Sequence, residues 1–342
     1  MTEDAVVDTQ PDAAFKVLIV KLSSLGDVVH TMPVVNDIRS VYPAAAIDWV
    51  VEPSFAPLVR RVDGVRTVFE CALRRWRNAW WTPTVRAEWR VFREQLQRET
   101  YDAVIDLQGL TKSALIARLA RGTRFGLANR TEGASYEKPA RWLVDRAIRV
   151  EPHIHAMDRA RAVVAAVLGK PAEGPPQYGL RATPPAKRAT QPIVTFVHGT
   201  SRDDKLWPQA HWINLGKRVI GQGWGIALPQ SNEAELTRAE LIAAGLQFER
   251  AFQVSVWPSL SLDAVLDRMA ATQGVIGVDS GLSHIAVALN LPHVQIYNFP
   301  TAWRTGPLAS HGHRHQVAVE GQPVPTLEAV WSAWNRVRDA AA

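Results

Sequence analysis

Two successive series of short apolar runs, each alternating with segments of helical period, constrain the fold of this chain more than any other feature. The first series contains "KVLIV" (16–20), "AIDWVV" (46–51), "TVFE" (67–70), "DAVIDL" (102–107) and "RFGLA" (124–128), with helices predicted to begin near Val28, Phe55, Thr84 and Leu110. The second contains "IVTFVHG" (193–199), "WGIALP" (224–229), "GVIGVD" (274–279) and "HVQIYNF" (293–299). This alternation is typical of parallel sheets covered by helices, and it predicts an α/β protein.

The two series predict two domains. A chain of 342 residues exceeds the usual size of one domain, and the Pro- and Gly-rich stretch 171–192 has the composition of a linker. We expect two Rossmann-like domains with parallel sheets facing across a cleft, and ligands at the carboxyl ends of the strands. The predicted organisation is a disordered tail (1–14), an N-terminal domain (15–180), a linker (181–192), a C-terminal domain (193–325) and a closing amphipathic helix (326–342).

Composition restricts the class of protein. A hydrophobic fraction of 47% with 21% charged residues is ordinary for a globular protein, and no apolar run approaches the roughly 18 residues of a membrane-spanning helix. The first residues do not resemble a secretory signal. The single cysteine, Cys71, excludes an internal disulfide and a multi-cysteine zinc site, so we expect a cytoplasmic protein.

The net charge of +6 predicts a polyanionic partner: nucleic acid, anionic lipid or a phosphorylated substrate. Residues 74–93, "RRWRNAWWTPTVRAEWRVFR", concentrate this charge, with six arginines, four tryptophans and one acidic residue, Glu88. From Val85 to Leu96 the apolar residues keep helical spacing, which predicts an amphipathic helix packed on its own domain. The preceding "RRWR" looks like a clamp for an anionic partner, with its tryptophan suited to a bilayer interface. Nucleic acid is a further candidate, although no recognition module is present.

The segment "KLSSLGDVVHTMPVV" (21–35) follows the apolar run "FKVLIV" and passes into a segment of helical period. Asp27 lies where the predicted strand gives way to the helix. It either caps the helix or takes part in chemistry at the end of the strand. The segment by itself does not decide between the two.

The segment "GVIGVDSGLSHIAVALNLPHVQIYNF" (274–299) predicts a strand, a tight turn and a helix beginning near Leu282. The free N–H groups of such a helix form an anion site, to which Ser280, Ser283 and His284 would add donors. An ordinary capped crossover is the alternative. In "HGTSRDDKLWP" (198–208), Lys205 offers a compact charge suited to a leaving diphosphate, and a solvated loop is the alternative.

Several motifs are missing. The chain has no G-x-x-x-x-G-K-[ST], no G-x-S-x-G and no D-x-D pair, which disfavours a P-loop or a nucleophile elbow and suggests that a lysine and a helix dipole take the place of a metal ion. The histidines of "HIH" (153–155) and "HGHRH" (311–315) lack metal-ligand spacing, and we expect them in solvated loops.

Six segments, taken in order and at their spacing, resemble the lipopolysaccharide heptosyltransferases of glycosyltransferase family 9. They are "VLIVKLSSLGDVVHTMP", "DWVVE", "RRWRNAWW", "YDAVIDLQGLTKSAL", "TSRDDKLWP" and "VDSGLSH". The similarity runs from about residue 16 to the C-terminal helix, and "RRWR" and "DLQGLTKSA" favour the first of the two enzymes over the second. The resemblance implies a GT-B fold and an inverting, metal-independent transfer of L-glycero-D-manno-heptose from ADP-heptose to a Kdo residue of Kdo-lipid A.

The resemblance also implies roles for residues. It makes Asp27 the catalytic base, with Ser23, Ser24 and Gly26 shaping the turn or contacting the donor. In the C-terminal, nucleotide-sugar-binding domain it implies a donor site. Lys205 would bind the diphosphate with Thr200 and Ser201 beside it, and Ser280, Gly281 and His284 would lie at the phosphates. Asp279 would contact the sugar, and Glu235 would contact the ribose. Glu233 competes with Glu235, because the family often has Trp-Gly where this chain has Gln230-Ser231. The predicted acceptor-binding residues of the N-terminal domain are Arg74, Arg75, Arg77, Gln108 and Lys112.

These expectations define the partners. We expect ADP-heptose as donor, Kdo-lipid A as acceptor, no cofactor, no metal ion and no nucleic acid. We also expect a monomer that is peripheral on the anionic cytoplasmic face of the inner membrane. The alternatives are a related GT-B transferase, either heptosyltransferase II or one for another nucleotide sugar and lipid acceptor, and a non-catalytic polyanion-binding protein.

Overall fold

The computed structural model describes residues 14–171, 173–183, 191–246 and 254–340. The chain divides into two compact units between Leu180 and Arg181. The predicted tail, up to residue 13, and residues 184–190 of the predicted linker lie outside the described residues.

Unit 1 contains, in its described part, a parallel six-stranded sheet with the order β3-β2-β1-β4-β5-β6. The central strand β1 is buried on both faces, and after Lys16 it is a continuous apolar run of valine, leucine and isoleucine. The strands are β1 Lys16–Val20, β2 Ala46–Val51, β3 Val65–Glu70, β4 Thr100–Asp106, β5 Arg121–Leu127 and β6 Arg146–Ile148.

The helices of unit 1 cover the sheet. They are α1 Leu25–Thr31, α2 Pro33–Val41, α3 Ala56–Val59, α4 Leu73–Ala79, α5 Pro83–Leu96, α6 Thr111–Ala117 and α7 Ala156–Leu168. Helix α5 begins after Thr82, whose hydroxyl accepts from the N–H of Val85, and it has Pro83 in its first turn, where proline costs no hydrogen bond. It buries Val85, Phe92 and Leu96 against the unit, which confirms the predicted amphipathic helix.

Unit 2 repeats the arrangement. Its described part has a parallel six-stranded sheet with the order β12-β11-β10-β7-β8-β9. The strands are β7 Ile193–Val197, β8 Gly225–Leu228, β9 Val254–Val256, β10 Gly274–Val278, β11 His293–Tyr297 and β12 Gln316–Glu320. The helices are α8 Gln209–Gly221, α9 Glu233–Leu246, α10 Leu262–Ala270, α11 Gly281–Ala288, α12 Ala302–Thr305 and α13 Leu327–Asp339.

Both sheets have the strand order of a Rossmann fold, in which the chain starts at the centre, proceeds to one edge and returns to continue on the other side of its first strand. The direction reverses between β1 and β4 in unit 1, and between β7 and β10 in unit 2. At such a point the loops on the carboxyl side leave in opposite directions and open a crevice, where ligands of these folds bind.

The closing helix α13 belongs to the core of unit 2. Val330, Trp334 and Val337 are buried among residues of the sheet and of α8, as their spacing predicts. None of the helices in the described ranges has the length and apolar character that crossing a membrane requires.

Three strands were missing from the prediction. Strands β6 and β9 have three residues each and are not fully buried, so they carry little apolar pattern. Strand β12, "QVAVE", is a half-buried edge strand. Edge strands are stabilised by pairing to a neighbour that is distant in sequence, and a local pattern does not report that pairing.

Candidate active site

The first strand of unit 1 leads directly to Asp27. Strand β1 is fully buried from Val17 to Val20, and the chain then turns into α1 with Ser24 as its N-cap. Asp27 Oδ2 accepts hydrogen bonds from the backbone N–H of Ser24 at 3.2 Å and from its hydroxyl at 2.9 Å. A carboxylate at the third helical position that reaches back to the N-cap forms one half of a capping box. Asp27 is therefore a capping residue, but only one of its oxygens is used in this way.

The other oxygen of Asp27 faces two cations. Oδ1 lies 3.6 Å from Lys21 Nζ and 3.9 Å from Arg159 Nη2. Burial alone would raise the pKa of Asp27, but Lys21, Arg159 and the hydrogen bonds from Ser24 outweigh burial and hold this pKa below its ordinary value. The side chain of Asp27 is 38% exposed. The result is an ionised, accessible carboxylate at the switch point of unit 1.

Lys21 itself is buried, with 2% of its surface exposed. Its ammonium donates to the carbonyl of Leu107 at 3.1 Å. Burial lowers the pKa of Lys21, and the neighbouring Asp27 opposes that effect. A buried ammonium is stable only when it is paired, so Lys21 and Asp27 depend on each other.

The residues after β4 hold the loop after β1 in place. Gln108 Oε1 accepts from the N–H groups of Leu22 at 3.0 Å and Ser23 at 3.2 Å. The buried carboxylate of Asp106 accepts from the N–H of Gln108 and the hydroxyl of Ser113, and burial raises its pKa to about 6. Gln108, predicted to bind an acceptor, thus uses its carbonyl oxygen within the protein. Lys112 lies on the first turn of α6 in the same region.

The predicted arginine clamp lies on a helix that the sequence did not indicate, α4. Arg74 and Arg77 are exposed, and Arg75 pairs with Glu88. Trp76 is buried, and its indole N–H donates to Glu88 at 2.8 Å. The prediction of Trp76 as a bilayer-facing residue was therefore wrong, because this indole packs in the core of unit 1.

The two loops singled out in unit 2 meet at its switch point, after β7 and β10. Lys205 Nζ lies 2.6 Å from Asp279 Oδ2, and His284 Nε2 lies 3.4 Å from Asp279 Oδ1. The hydroxyl of Thr200 donates to the carbonyl of Asp279 at 3.2 Å. Burial alone would raise the pKa of Asp279, but His284 and Lys205 outweigh it and hold this pKa well below its ordinary value.

Helix α11 presents its N-terminus to this cluster. Ser280 is its N-cap, and the Ser280 hydroxyl is buried without a hydrogen-bond partner in the described part of the chain. Such a hydroxyl beside free helix N–H groups is suited to an anionic ligand. The approach of the helix depends on Gly277, because a side chain there would lie 2.8 Å from Val197 Cβ and would also meet Ser283. Gly281 is the first residue of the helix.

Glu235 also lies at this edge of the sheet. Its carboxylate accepts from the N–H and hydroxyl of Ser231, both at 2.8 Å. It packs directly on Gly199, where an added Cβ would lie 2.6 Å from Oε1. Glu233 is exposed, as is Ser201. Of the two glutamates, Glu235 is therefore the one in contact with the end of β7.

The histidine prediction needs correction. His155 is buried and caps α7, with Nδ1 accepting from the N–H of Met157 at 3.2 Å. His311 is also buried, and burial lowers the pKa of His313 to about 4. Only His153, beside Glu132, is exposed as predicted. The sequence pattern did not reveal that His155 and His311 are buried.

Sequence reasoning missed three residues of the two sites. Lys21 carried a usable signal, because a charge at the end of an apolar buried strand requires a partner. Arg159, in the first turn of α7, carried none. Asn298 is buried after β11 and donates to the carbonyls of Asp204 and Leu206, which fixes the turn that carries Lys205.

Two Rossmann-like units in one chain are the architecture of the GT-B class of glycosyltransferases. One has an ionised carboxylate at its switch point, and the other has a lysine, a histidine and a helix N-terminus. Similarity to known proteins identifies the family. Residues 89–329 match glycosyltransferase family 9 (heptosyltransferase), and the chain belongs to this family and is an enzyme of the glycosyltransferase class. The non-catalytic alternative is therefore set aside.

The chain is similar to known relatives over most of its length. Lipopolysaccharide heptosyltransferase 1 of Escherichia coli K12 is 38% identical over 286 residues, which cover 82% of this chain and 87% of the relative. The structure of E. coli heptosyltransferase WaaC with ADP matches with a TM-score of 0.83 and 33% identity, over 94% of this chain and 100% of that one. The structure of WaaC with ADP-2-deoxy-2-fluoro heptose matches with a TM-score of 0.78 and 34% identity, over 93% and 98%.

Proposed function

We propose that this enzyme transfers L-glycero-D-manno-heptose from ADP-heptose to a Kdo residue of Kdo-lipid A, in the assembly of the lipopolysaccharide inner core. The observation that carries the proposal is the cluster of Lys205, Asp279, His284 and Ser280 at the N-terminus of α11, in a chain of the heptosyltransferase family. The similarity to an enzyme solved with a fluorinated ADP-heptose supports the choice of donor.

The C-terminal domain, 193–325, binds the donor in this proposal. A lysine ammonium has three N–H donors, so Lys205 can keep its contact with Asp279 and still bind the diphosphate. The Ser280 hydroxyl, the N–H of Gly281 and His284 complete the phosphate site. Thr200 and Ser201 lie on the adjacent loop, and Asp279 contacts the sugar.

The carboxylate of Glu235 accepts hydrogen bonds from the hydroxyl groups of the ribose. Its contact with Gly199 at the end of β7 supports this choice over the exposed Glu233.

The reaction is a single displacement with inversion. The acceptor hydroxyl oxygen bonds to the anomeric carbon, the bond from that carbon to the β-phosphate oxygen breaks, and the hydroxyl proton passes to Asp27. An ionised Asp27 is ready to receive it, and the low pKa of this carboxyl supports that state at neutral pH. Lys205 and the backbone amides of α11 stabilise the negative charge that develops on the leaving ADP. Neither a metal ion nor a cofactor is therefore part of the proposed mechanism.

The N-terminal domain, 15–180, binds the acceptor. Arg74, Arg75 and Arg77 of α4 contact its phosphate and carboxylate groups, with Arg77 free of ion pairs among the described residues. The side chain of Gln108 lies at the loop of Asp27, and Lys112 follows on the first turn of α6. Ser23, Ser24 and Gly26 shape that loop. The enzyme acts as a cytoplasmic monomer, peripheral on the anionic face of the inner membrane, because its acceptor is a lipid of that membrane.

One incubation tests the proposal. Purified protein is mixed with ADP-heptose and Kdo-lipid A, and the product mass is measured, with the anomeric configuration determined by NMR. We expect the mass of the acceptor to rise by one heptose residue. UDP-sugars and an acceptor that already carries the first heptose serve as parallel arms. Transfer only in one of those arms would replace the proposal with the related-transferase alternative.

A further inference from the structure

Helices α4 and α5 enclose an apolar groove of about 410 Å³ on the surface of unit 1. Five of its seven lining side chains are apolar, namely Leu73, Trp76, Trp80, Val85 and Trp89. The volume is within the roughly 300–1,000 Å³ of small-ligand sites. The floor is rigid, because Trp76 stacks edge-on with Trp89 at 5.5 Å and belongs to the core below it.

The charge around the groove is of one sign. Arg77 and Arg86 complete its lining, and the guanidinium of Arg86 lies 5.9 Å from the centre of the Trp80 ring. The single acidic residue of this stretch, Glu88, is already bound by Arg75 and Trp76. An occupant must therefore combine an apolar body with an anionic group outside the groove.

One exposed indole lines the groove, and a second follows it in the sequence. Trp80 is 64% exposed and its neighbour Trp81 is 60% exposed. Large exposed aromatic side chains are costly on a soluble surface and are typical of the bilayer interface, where the ring meets acyl chains and the N–H stays in the headgroup layer. Trp142, 70% exposed, lies in the same unit but does not line the groove.

We propose that this groove binds one acyl chain of an anionic membrane phospholipid, with Arg86 at its phosphate. This assignment rests on the proposed function. It extends the proposed membrane contact by placing that contact at one site and giving it one class of ligand. The acyl chain displaces water from Leu73, Val85 and the indole faces, and the phosphate replaces water at the guanidinium of Arg86. Trp80 and Trp81 then lie among neighbouring lipids.

Calorimetric titration with short-chain lipids below their micelle concentration tests the site without donor, acceptor or turnover. The probes are dihexanoyl and dioctanoyl phosphatidylglycerol, dioctanoyl phosphatidylcholine and glycerophosphoglycerol. Each buried methylene is worth about fourfold in affinity, so two more carbons in one bound chain should strengthen binding about fifteenfold. Phosphatidylcholine should bind more weakly than phosphatidylglycerol, and the headgroup without chains should show no saturable binding.

Variants locate the site. Trp80→Ala should weaken binding of dioctanoyl phosphatidylglycerol about tenfold or more, while Trp142→Ala, which removes an equally exposed indole outside the groove, should bind as the wild type does. Arg86→Ala should reduce the preference for phosphatidylglycerol over phosphatidylcholine. All three side chains are exposed, so folding should be preserved.

Three results would overturn the proposal. Affinity that does not depend on chain length would indicate a phosphate patch only. Equal binding by Trp80→Ala and Trp142→Ala would place the lipid elsewhere. No lipid binding, together with self-association that Trp80→Ala abolishes in sedimentation, would assign the groove to a second copy of the chain. Loss of heptose transfer with intact lipid binding would instead count only against the proposed function.

Discussion

Asp27 has a different partner for each of its carboxylate oxygens. Oδ2 caps α1 through Ser24, and Oδ1 faces Lys21 and Arg159. The cap fixes the direction of the carboxylate, and the cations keep it ionised. Capping and chemistry, the two alternatives that the sequence left open, are therefore compatible at this residue, and substitutions can separate them.

We predict that Asp27→Asn abolishes transfer but preserves the fold and the donor site. The asparagine carbonyl still accepts from the Ser24 N–H, but the buried Lys21 ammonium loses its anion, so the free energy of unfolding should fall by up to about 3 kcal/mol. Loss of the base should lower kcat by roughly 10²–10⁴. Transfer is measured with a labelled donor, and ADP affinity by calorimetry. Near-normal turnover would remove Asp27 from its proposed role.

We predict that Lys21→Met moves the acid limb of the kcat/KM profile to higher pH by about one unit. The folded-state pKa of Asp27 is depressed, so its ion pairs add stability above the ordinary carboxyl pKa, and this stability is lost as pH falls. Without the ammonium, the carboxyl takes up its proton at higher pH. The profile is measured from pH 4 to 9.

Lys16→Met is the matched control for Lys21→Met, because Lys16 begins the same strand but pairs with Glu99. Superimposable profiles for the two variants would show that Lys21 does not set the ionisation of the base.

We predict that Lys205→Gln weakens ADP binding by about tenfold or more, with the dissociation constant measured by calorimetry. Glutamine retains an N–H donor toward Asp279 but loses the charge that a diphosphate attracts. Lys217→Gln, at an exposed position of α8, controls for charge alone. Equal ADP affinity in both variants would contradict a contact between Lys205 and the diphosphate.

At the scale of elements, each site is formed by two loops that follow neighbouring central strands. The loops after β1 and β4 meet through Gln108, and those after β7 and β10 meet through Lys205 and Asp279. The remaining elements hold those strands in register. Helix α13 does so for unit 2, where Trp334 is packed over the start of β10 and meets Trp224 edge-on at 5.7 Å.

We predict that Trp334→Ala lowers the free energy of unfolding of unit 2 by about 3–5 kcal/mol, because it leaves a large cavity beside the sheet. Trp331→Ala, at a half-buried position of the same helix, should cost clearly less. Guanidinium unfolding followed by circular dichroism measures both. Equal losses would show that α13 does not support the sheet through Trp334.

At the scale of the whole molecule, the net charge of +6 does not indicate where an anionic partner would bind until the positions of the charged residues are known. Many arginines and lysines of both units are neutralised by carboxylates, as Arg66 is by Asp48 and Arg161 by Asp37. In α4 and the start of α5, Arg74 lies near Glu52 and Arg75 pairs with Glu88, but Arg77 and Arg86 have no ion pair among the described residues. This region is where an anionic lipid substrate would be attracted most strongly.

We predict that Arg74→Glu combined with Arg77→Glu raises the KM for Kdo-lipid A at least about tenfold and leaves the KM for ADP-heptose unchanged. Lys217→Glu with Arg336→Glu changes the net charge equally on exposed positions of unit 2 and serves as control. Steady-state kinetics with each substrate varied provides both constants. Unchanged acceptor KM, or the same rise in the control pair, would disprove a local clamp.

The sequence by itself determined the α/β class, the two Rossmann-like sheets and the loops that carry the candidate sites. These properties are local, since the period of a buried strand or helix and the polar residues at its end are written in consecutive positions. Membership of family 9 followed from the same motifs. The long central elements were predicted within a few residues, and the short edge strands β6, β9 and β12 were not, because distant neighbours stabilise them.

Only the tertiary structure decided which side chains meet. Arg159 reaches Asp27 from a helix more than a hundred residues away, Asn298 fixes the turn of Lys205, and Trp76 is buried while Trp80 is exposed. No sequence period reports these features, because they depend on the order of strands in a sheet and on which face of a helix is buried. Burial and pairing set the charge of a carboxylate, so the state of Asp27 is a property of the folded unit rather than of its motif.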